Sequence, residues 1–122
     1  MDYLQDALQI VAGLGIYNVW LLRFKKSTAY RGGNAGNLKE EFAYYGLPAW
    51  SVFVIGFLKL SSATGLLLGI FSPIVVLPSA LLLAVLMAGA LSMHIKVRDP
   101  LKKAIPALSL LVLTLTIAWL SA

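Results

Sequence analysis

Cysteine is absent from the chain. Thiol–disulfide chemistry, thiolate-held iron–sulfur clusters and a thiolate zinc site are therefore excluded within it. There is one histidine, His94, which rules out bis-histidine haem ligation from a single copy. Charge is scarce: Asp, Glu, Lys and Arg make up 12% of the 122 residues, against about 25% in an ordinary soluble domain. Acids are scarcest, five against ten Lys and Arg, leaving a net charge of +5. Positive charge can mark a nucleic-acid binder. Here the basic residues sit at the ends of apolar runs, where they orient membrane helices, and no basic, aromatic-interleaved surface remains for nucleic acid. The N-terminus also lacks a positive flank and begins Met1–Asp2. Its apolar stretch thus reads as a retained span, not a cleavable signal peptide.

What is present is apolar: 60% of the residues are hydrophobic, with mean hydropathy +0.86. A spanning helix needs about 20 residues. Residues 3–24, 48–71, 74–95 and 104–120 supply four such runs and use up the length. The expectation is one all-α domain, an integral membrane four-helix bundle. Ser72–Pro73 makes the turn between the second and third spans, because proline suits a turn and strains a helix interior. The first connection carries Arg23, Lys25, Lys26, Arg31 and Lys39, and the third carries Lys96, Arg98, Lys102 and Lys103. The positive-inside rule places both basic loops in the cytoplasm and both the N and C termini outside. This is the pattern of a multi-pass protein in a bacterial inner (plasma) membrane. The first loop opens with a Gly-, Asn- and Ser-rich stretch, residues 27–37, which should be mobile. Residues 38–45 follow with Leu38, Phe42 and Tyr45 at helical spacing. They form either a short interfacial helix or the first turns of the second span.

Lys59 is the only charge between Leu47 and Phe71. A lysine within a membrane span costs about 2.5–3.5 kcal/mol on insertion scales, so it must face the bundle, reach an interface or find a partner. At about 100° per residue its helix neighbours are Val52, Ile55, Gly56, Ser62, Ala63 and Leu66, a face with room for close packing. It stands nine residues after Trp50, about 13 Å along the helix. Its stem leans back toward the helix N-terminus. The ammonium should therefore lie in the cytoplasmic half. Asn18 and His94 fall near the same level, with Tyr17, Tyr44 and Tyr45 at the rim. The expected site is a polar pocket with Lys59 as cation, Asn18 and His94 as hydrogen-bonding groups, Tyr45 at its edge, and Glu41 or Glu40 as counter-ion. Each has a plain structural alternative. Lys59 can snorkel and pair with a glutamate, His94 can be an interfacial residue, and Asn18 can bond a neighbouring helix. Asp6 and Gln9 belong to the outer half, near the headgroups. No residue pattern fixes a catalytic role or a reaction, and none forms a metal site.

Small residues recur every four positions at Ser61, Gly65 and Gly69, and at Ala80, Ala84, Ala88 and Ser92. Such stripes let membrane helices approach closely. They serve packing within the subunit, or a homodimer through Gly65 and Gly69.

Three elements carry a family resemblance. Tyr45–Pro48 reads YGLP at the start of the second span, Gly56–Leu60 reads G-x-x-K-L at its centre, and His94–Pro100 reads H-x-x-x-x-D-P after the third. Together they cover roughly the last two-thirds of the chain, which resembles the DoxX-like membrane proteins. The resemblance implies a four-helix membrane bundle. The roles described in that family are a subunit of a thiosulfate:quinone oxidoreductase and an assembly chaperone for receptors. They share no chemistry, so the resemblance alone assigns no activity. Cysteine-dependent roles cannot operate here. The expected function is an accessory or binding protein holding a lipid-like or quinone-like molecule, or a partner's membrane helix, in the polar pocket. The alternatives are a quinone-linked oxidoreductase subunit and a small oligomeric transporter or channel.

Overall fold

A computed structural model of the chain describes residues 3–22 and 37–122. Among the described residues the structure is helical, with no strand. Helix α1, Tyr3–Tyr17, runs into a π-helical turn, Asn18–Leu22. Helix α2 is Leu38–Tyr44, α3 Ser51–Leu68, α4 Val76–Lys96 and α5 Leu101–Ser121. A single 3-10 turn, Pro73–Val75, leads into α4. The long helices pack in the order α1–α3–α4–α5, and α1 meets α5 only lightly. The segments Ser51–Leu68, Pro73–Lys96 and Leu101–Ser121 are long and apolar enough to cross a membrane. Their outward faces carry large apolar side chains such as Phe53, Phe57, Val85, Val112 and Trp119, which only lipid can cover without cost.

Three of the four expected spans correspond to helices long enough to cross a membrane, with shifted edges, and the described part of the first is the 15-residue helix α1 with the turn that follows it. The α-helical part of the first span stops at Tyr17, and Asn18–Leu22 after it forms a π turn. The second span begins at Ser51. The fourth reaches back to Leu101, so Lys102 and Lys103 sit in its first turn. Residues 38–44 form a separate helix, which resolves the choice left open by the sequence. Its Asn37 side chain accepts the Glu40 N–H at 2.9 Å, and Glu40 and Glu41 sit favourably in its first turn. Of the stretch expected to be mobile, residues 27–37, Asn37 caps α2 and the others lie outside the described residues.

Two of the motifs are helix caps of one kind. At the end of α2 the Leu47 N–H bonds to the Phe42 carbonyl and the Gly46 N–H to that of Ala43. At the end of α4 the Asp99 N–H bonds to the His94 carbonyl and the Arg98 N–H to that of Ile95. Both are Schellman closures, which need a left-handed residue at the pivot. Gly46 supplies it at φ 81° without strain, and Arg98 supplies it at φ 58° at a cost of about 1–2 kcal/mol. Pro48 and Pro100 follow the caps, where a helix cannot continue. The two caps touch: the Lys96 ammonium donates to the Tyr45 carbonyl at 3.0 Å.

Of the small residues Ser61, Gly65 and Gly69, the two glycines pack inside the subunit and Ser61 is exposed. A side-chain carbon on Gly65 would collide with Ser79, and one on Gly69 with Val76. Both glycines therefore face this chain's own α4. Ala80 and Ala84 are buried, whereas Ala88 and Ser92 turn outward.

Gln9 was expected near the headgroups. It is instead 1% exposed in the core. Its amide donates to the Leu66 carbonyl at 2.7 Å and accepts from Gln5 at 2.9 Å. The last turn of α3 explains this: the Ile70 N–H bonds to the Leu67 carbonyl, leaving the Leu66 carbonyl without its usual helical donor. A buried orphan acceptor drew the amide inward.

Candidate functional site

At the end of the bundle that carries the basic loops, the helices enclose a cavity of about 800 Å³. It falls within the 300–1,000 Å³ range of small-molecule sites. Its walls are mainly apolar, with Ile16, Val19, Ile55, Leu86, Met93 and Leu110 among them, and α2 closes it with Glu41, Phe42 and Tyr45. No side chain fills the space beside Gly89, where an added carbon would meet nothing within 4 Å. Pro106 also lines it, inside α5. Proline lacks the N–H that would bond to the Lys102 carbonyl.

Lys59 points into this cavity. It belongs to the buried face of α3 together with Val52, Gly56, Ser62, Ala63 and Leu66, the neighbours given by helical periodicity. Only 8% of the residue is exposed. Its ammonium stands 5.3 Å from the centre of the Trp20 ring, a cation–π contact. Gly56, one turn before Lys59, makes that contact possible. A side-chain carbon there would lie 2.7 Å from the indole, so only glycine admits the ring. The π turn at Asn18–Leu22 carries Trp20; such local widenings are frequent at functional sites. The Glu41 carboxylate is the charge that acts on Lys59. Among the described residues, no acceptor lies within hydrogen-bonding reach of the ammonium.

From Glu41 a row of polar groups runs to the end of α4. The Tyr45 hydroxyl donates to Glu41 Oε1 at 3.1 Å. The same oxygen faces His94 Nε2 at 3.4 Å. His94 Nδ1 meets Asp99 Oδ2 at 2.8 Å, with both side chains buried. A carboxylate only accepts, so Nδ1 carries the proton. The Schellman cap sets this last pair, because its backbone bond joins the same two residues. That gives the H-x-x-x-x-D-P spacing a physical meaning: histidine opens the last turn, aspartate closes the cap, and proline starts α5. Ring contacts hold the row from the side. Tyr45 lies 5.8 Å from His94, edge to face, and Phe42 lies 5.9 Å from Trp20.

Of the residues expected at the site, Lys59, Asn18, His94, Glu41 and Tyr45 all line the cavity. Asn18 is exposed at its margin. Glu40 is not among the lining residues; it is exposed, with its backbone amide capped by Asn37. Tyr17 bonds to Thr64 on the outer side of α3, and Tyr44 is exposed. Sequence reasoning missed Trp20, Lys103 and the pairing of Asp99 with His94. Trp20 lies two residues from Asn18 at the expected depth, so depth was a usable signal for it. The pairing follows from cap geometry, which residue spacing alone did not disclose.

The DoxX-like family model matches residues 27–117. No curated protein and no solved structure matches the chain. The family match spans more than half of the chain and takes in both cap motifs and the Lys59 face, so the chain belongs to the DoxX-like family and is an integral membrane protein of that kind.

Proposed function

We propose that this protein is a binding or accessory protein of the membrane, and that the cavity holds a lipid-like or quinone-like amphiphile. The head of the ligand would rest on Lys59 and its tail along the apolar wall. One observation carries the reading. A buried ammonium with three donors faces an open cavity and has a ring face, but no acceptor among the described residues, beside it. A structural lysine would be expected to pair directly; this one is satisfied by an oxygen-bearing head. The positive-inside rule puts the cavity in the cytoplasmic half and both termini outside, in the plasma membrane of a bacterium.

Mass spectrometry of the protein purified in native lipid tests this. An amphiphile should co-purify with the wild type and be depleted in Lys59→Met. Equal recovery from both would reject the reading. A quinone is one head that fits, and the Tyr45–His94 contact favours it as a second reading, a subunit of a quinone-linked oxidoreductase. Turnover of added quinone by the purified protein would select that reading. A partner's membrane helix or a second copy, bound at the cavity mouth, would appear as a stoichiometric complex without a co-purified amphiphile.

A further inference from the structure

Among the described residues, the row from Glu41 to Asp99 contains three contacts within itself, and two protons lie on them. His94 Nδ1 gives one to Asp99, and the Tyr45 hydroxyl gives the other to Glu41. At the third contact, Nε2 and the tyrosine oxygen face each other at 3.4 Å, longer than an ordinary hydrogen bond to a hydroxyl. Within the row this is a place for one more proton. The imidazolium it would create already has its anion, Asp99, at 2.8 Å. Among the described residues, the groups around it are Glu41 from α2 and Tyr45 at its C-cap, Lys59 from α3, Lys103 from α5, Lys96 on its own helix, and Arg98 and Asp99 in the cap.

At the other end of the row stands Lys59, without an acceptor among the described residues. The two vacancies are complementary. We infer that the ligand is an amphiphile with a weakly acidic head, a single-chain carboxylic acid, and that the row takes up the proton the acid sheds at Lys59. The inference rests on the amphiphile reading above. The acid enters neutral. Its O–H bond breaks as Glu41 accepts the proton; Tyr45 passes its own proton to His94 Nε2 and takes the one on Glu41. The ligand ends as a carboxylate against Lys59, and His94 ends as an imidazolium against Asp99. Glu41 and Tyr45 are unchanged, and no net charge has entered the cavity. That matters because an isolated anion brought into a low-dielectric site is strongly disfavoured, whereas two matched pairs are not.

Because His94 is the only histidine, its nitrogens can be followed without assignment ambiguity by nuclear magnetic resonance on protein labelled with 15N-histidine in phosphatidylcholine nanodiscs. Saturation with oleic acid should convert Nε2 from bare to protonated, and oleyl alcohol, which has no acidic proton, should not. With oleic acid bound, Tyr45→Phe and Asp99→Asn should leave Nε2 bare. About one proton per bound ligand should then reach the bulk, read by calorimetry in two buffers of different ionisation enthalpy. A bare Nε2 in the oleate-bound wild type, or an equal response to the alcohol, overturns the inference. If oleyl alcohol binds and oleic acid does not, the acidic head is wrong and the amphiphile reading stands. If neither binds, both fall.

Discussion

Gln9 and Lys59 are both polar side chains buried inside the bundle, toward opposite ends of it. Gln9 lies where the packing is closest, near glycines that admit no further atom. Its amide completes the hydrogen bonding of the last turn of α3. Lys59 lies where the helices part around a cavity, and its ammonium has a ring beside it but no acceptor among the described residues. Gln9 is explained by the stability of the fold. Lys59 is not, because a buried charge without a direct partner costs more than the contact with Trp20 returns. What separates a structural polar group from a candidate functional one is therefore its satisfaction, not its burial.

The sharpest way to break the comparison is Lys59→Met. It should lower the affinity for an acid-headed amphiphile by roughly 30-fold or more, as expected for losing a charged hydrogen-bond partner. It should also raise the thermal stability of the ligand-free protein, since about 2–3 kcal/mol of charge burial is removed. A loss of stability would mean that Lys59 holds the helix in place. Gly56→Ala comes next. The added carbon must displace the indole of Trp20, at a cost of about 1–3 kcal/mol. Stability, ligand affinity and the fluorescence of Trp20 should all change together, and an unchanged spectrum would contradict the close approach.

Gln9→Leu should cost about 1–2 kcal/mol by leaving the Leu66 carbonyl orphaned, visible as a lower melting temperature. Ligand affinity should stay at the wild-type value; a parallel loss of binding would erase the distinction between the two ends. Arg98→Gly should have the smallest effect, a gain of about 1 kcal/mol from relieving the left-handed pivot. A loss of stability there would show that the arginine side chain outweighs its backbone strain.

Much of this architecture was readable along the chain. Apolar length gave the spans, and helical periodicity put Lys59 on the buried face with Gly56, Ser62 and Ala63. Depth along the spans brought Asn18 and His94 to the level of Lys59, while Tyr45 was expected at the rim and Glu41 or Glu40 as one of the few acids on that side. Gln9 shows where that ruler fails. Depth alone pointed to the headgroups, but the choice was made by one carbonyl that the end of α3 left unpaired. Glu40 and Glu41 differ by a single position, so sequence could not choose between them. The rotation of a seven-residue helix turned one toward the cavity and the other outward.

The sequence by itself determined the membrane class, three long apolar helices, the face of Lys59 and the family, because each depends on composition and periodicity that a helix carries wherever it packs. Tertiary structure alone decided that Trp20 shields the ammonium and that the α3 glycines are used within the subunit. It also decided that two Schellman caps meet to align Tyr45, His94 and Asp99. Those facts depend on how helix ends approach one another, and that is set by the unpaired backbone groups and the volumes left between them.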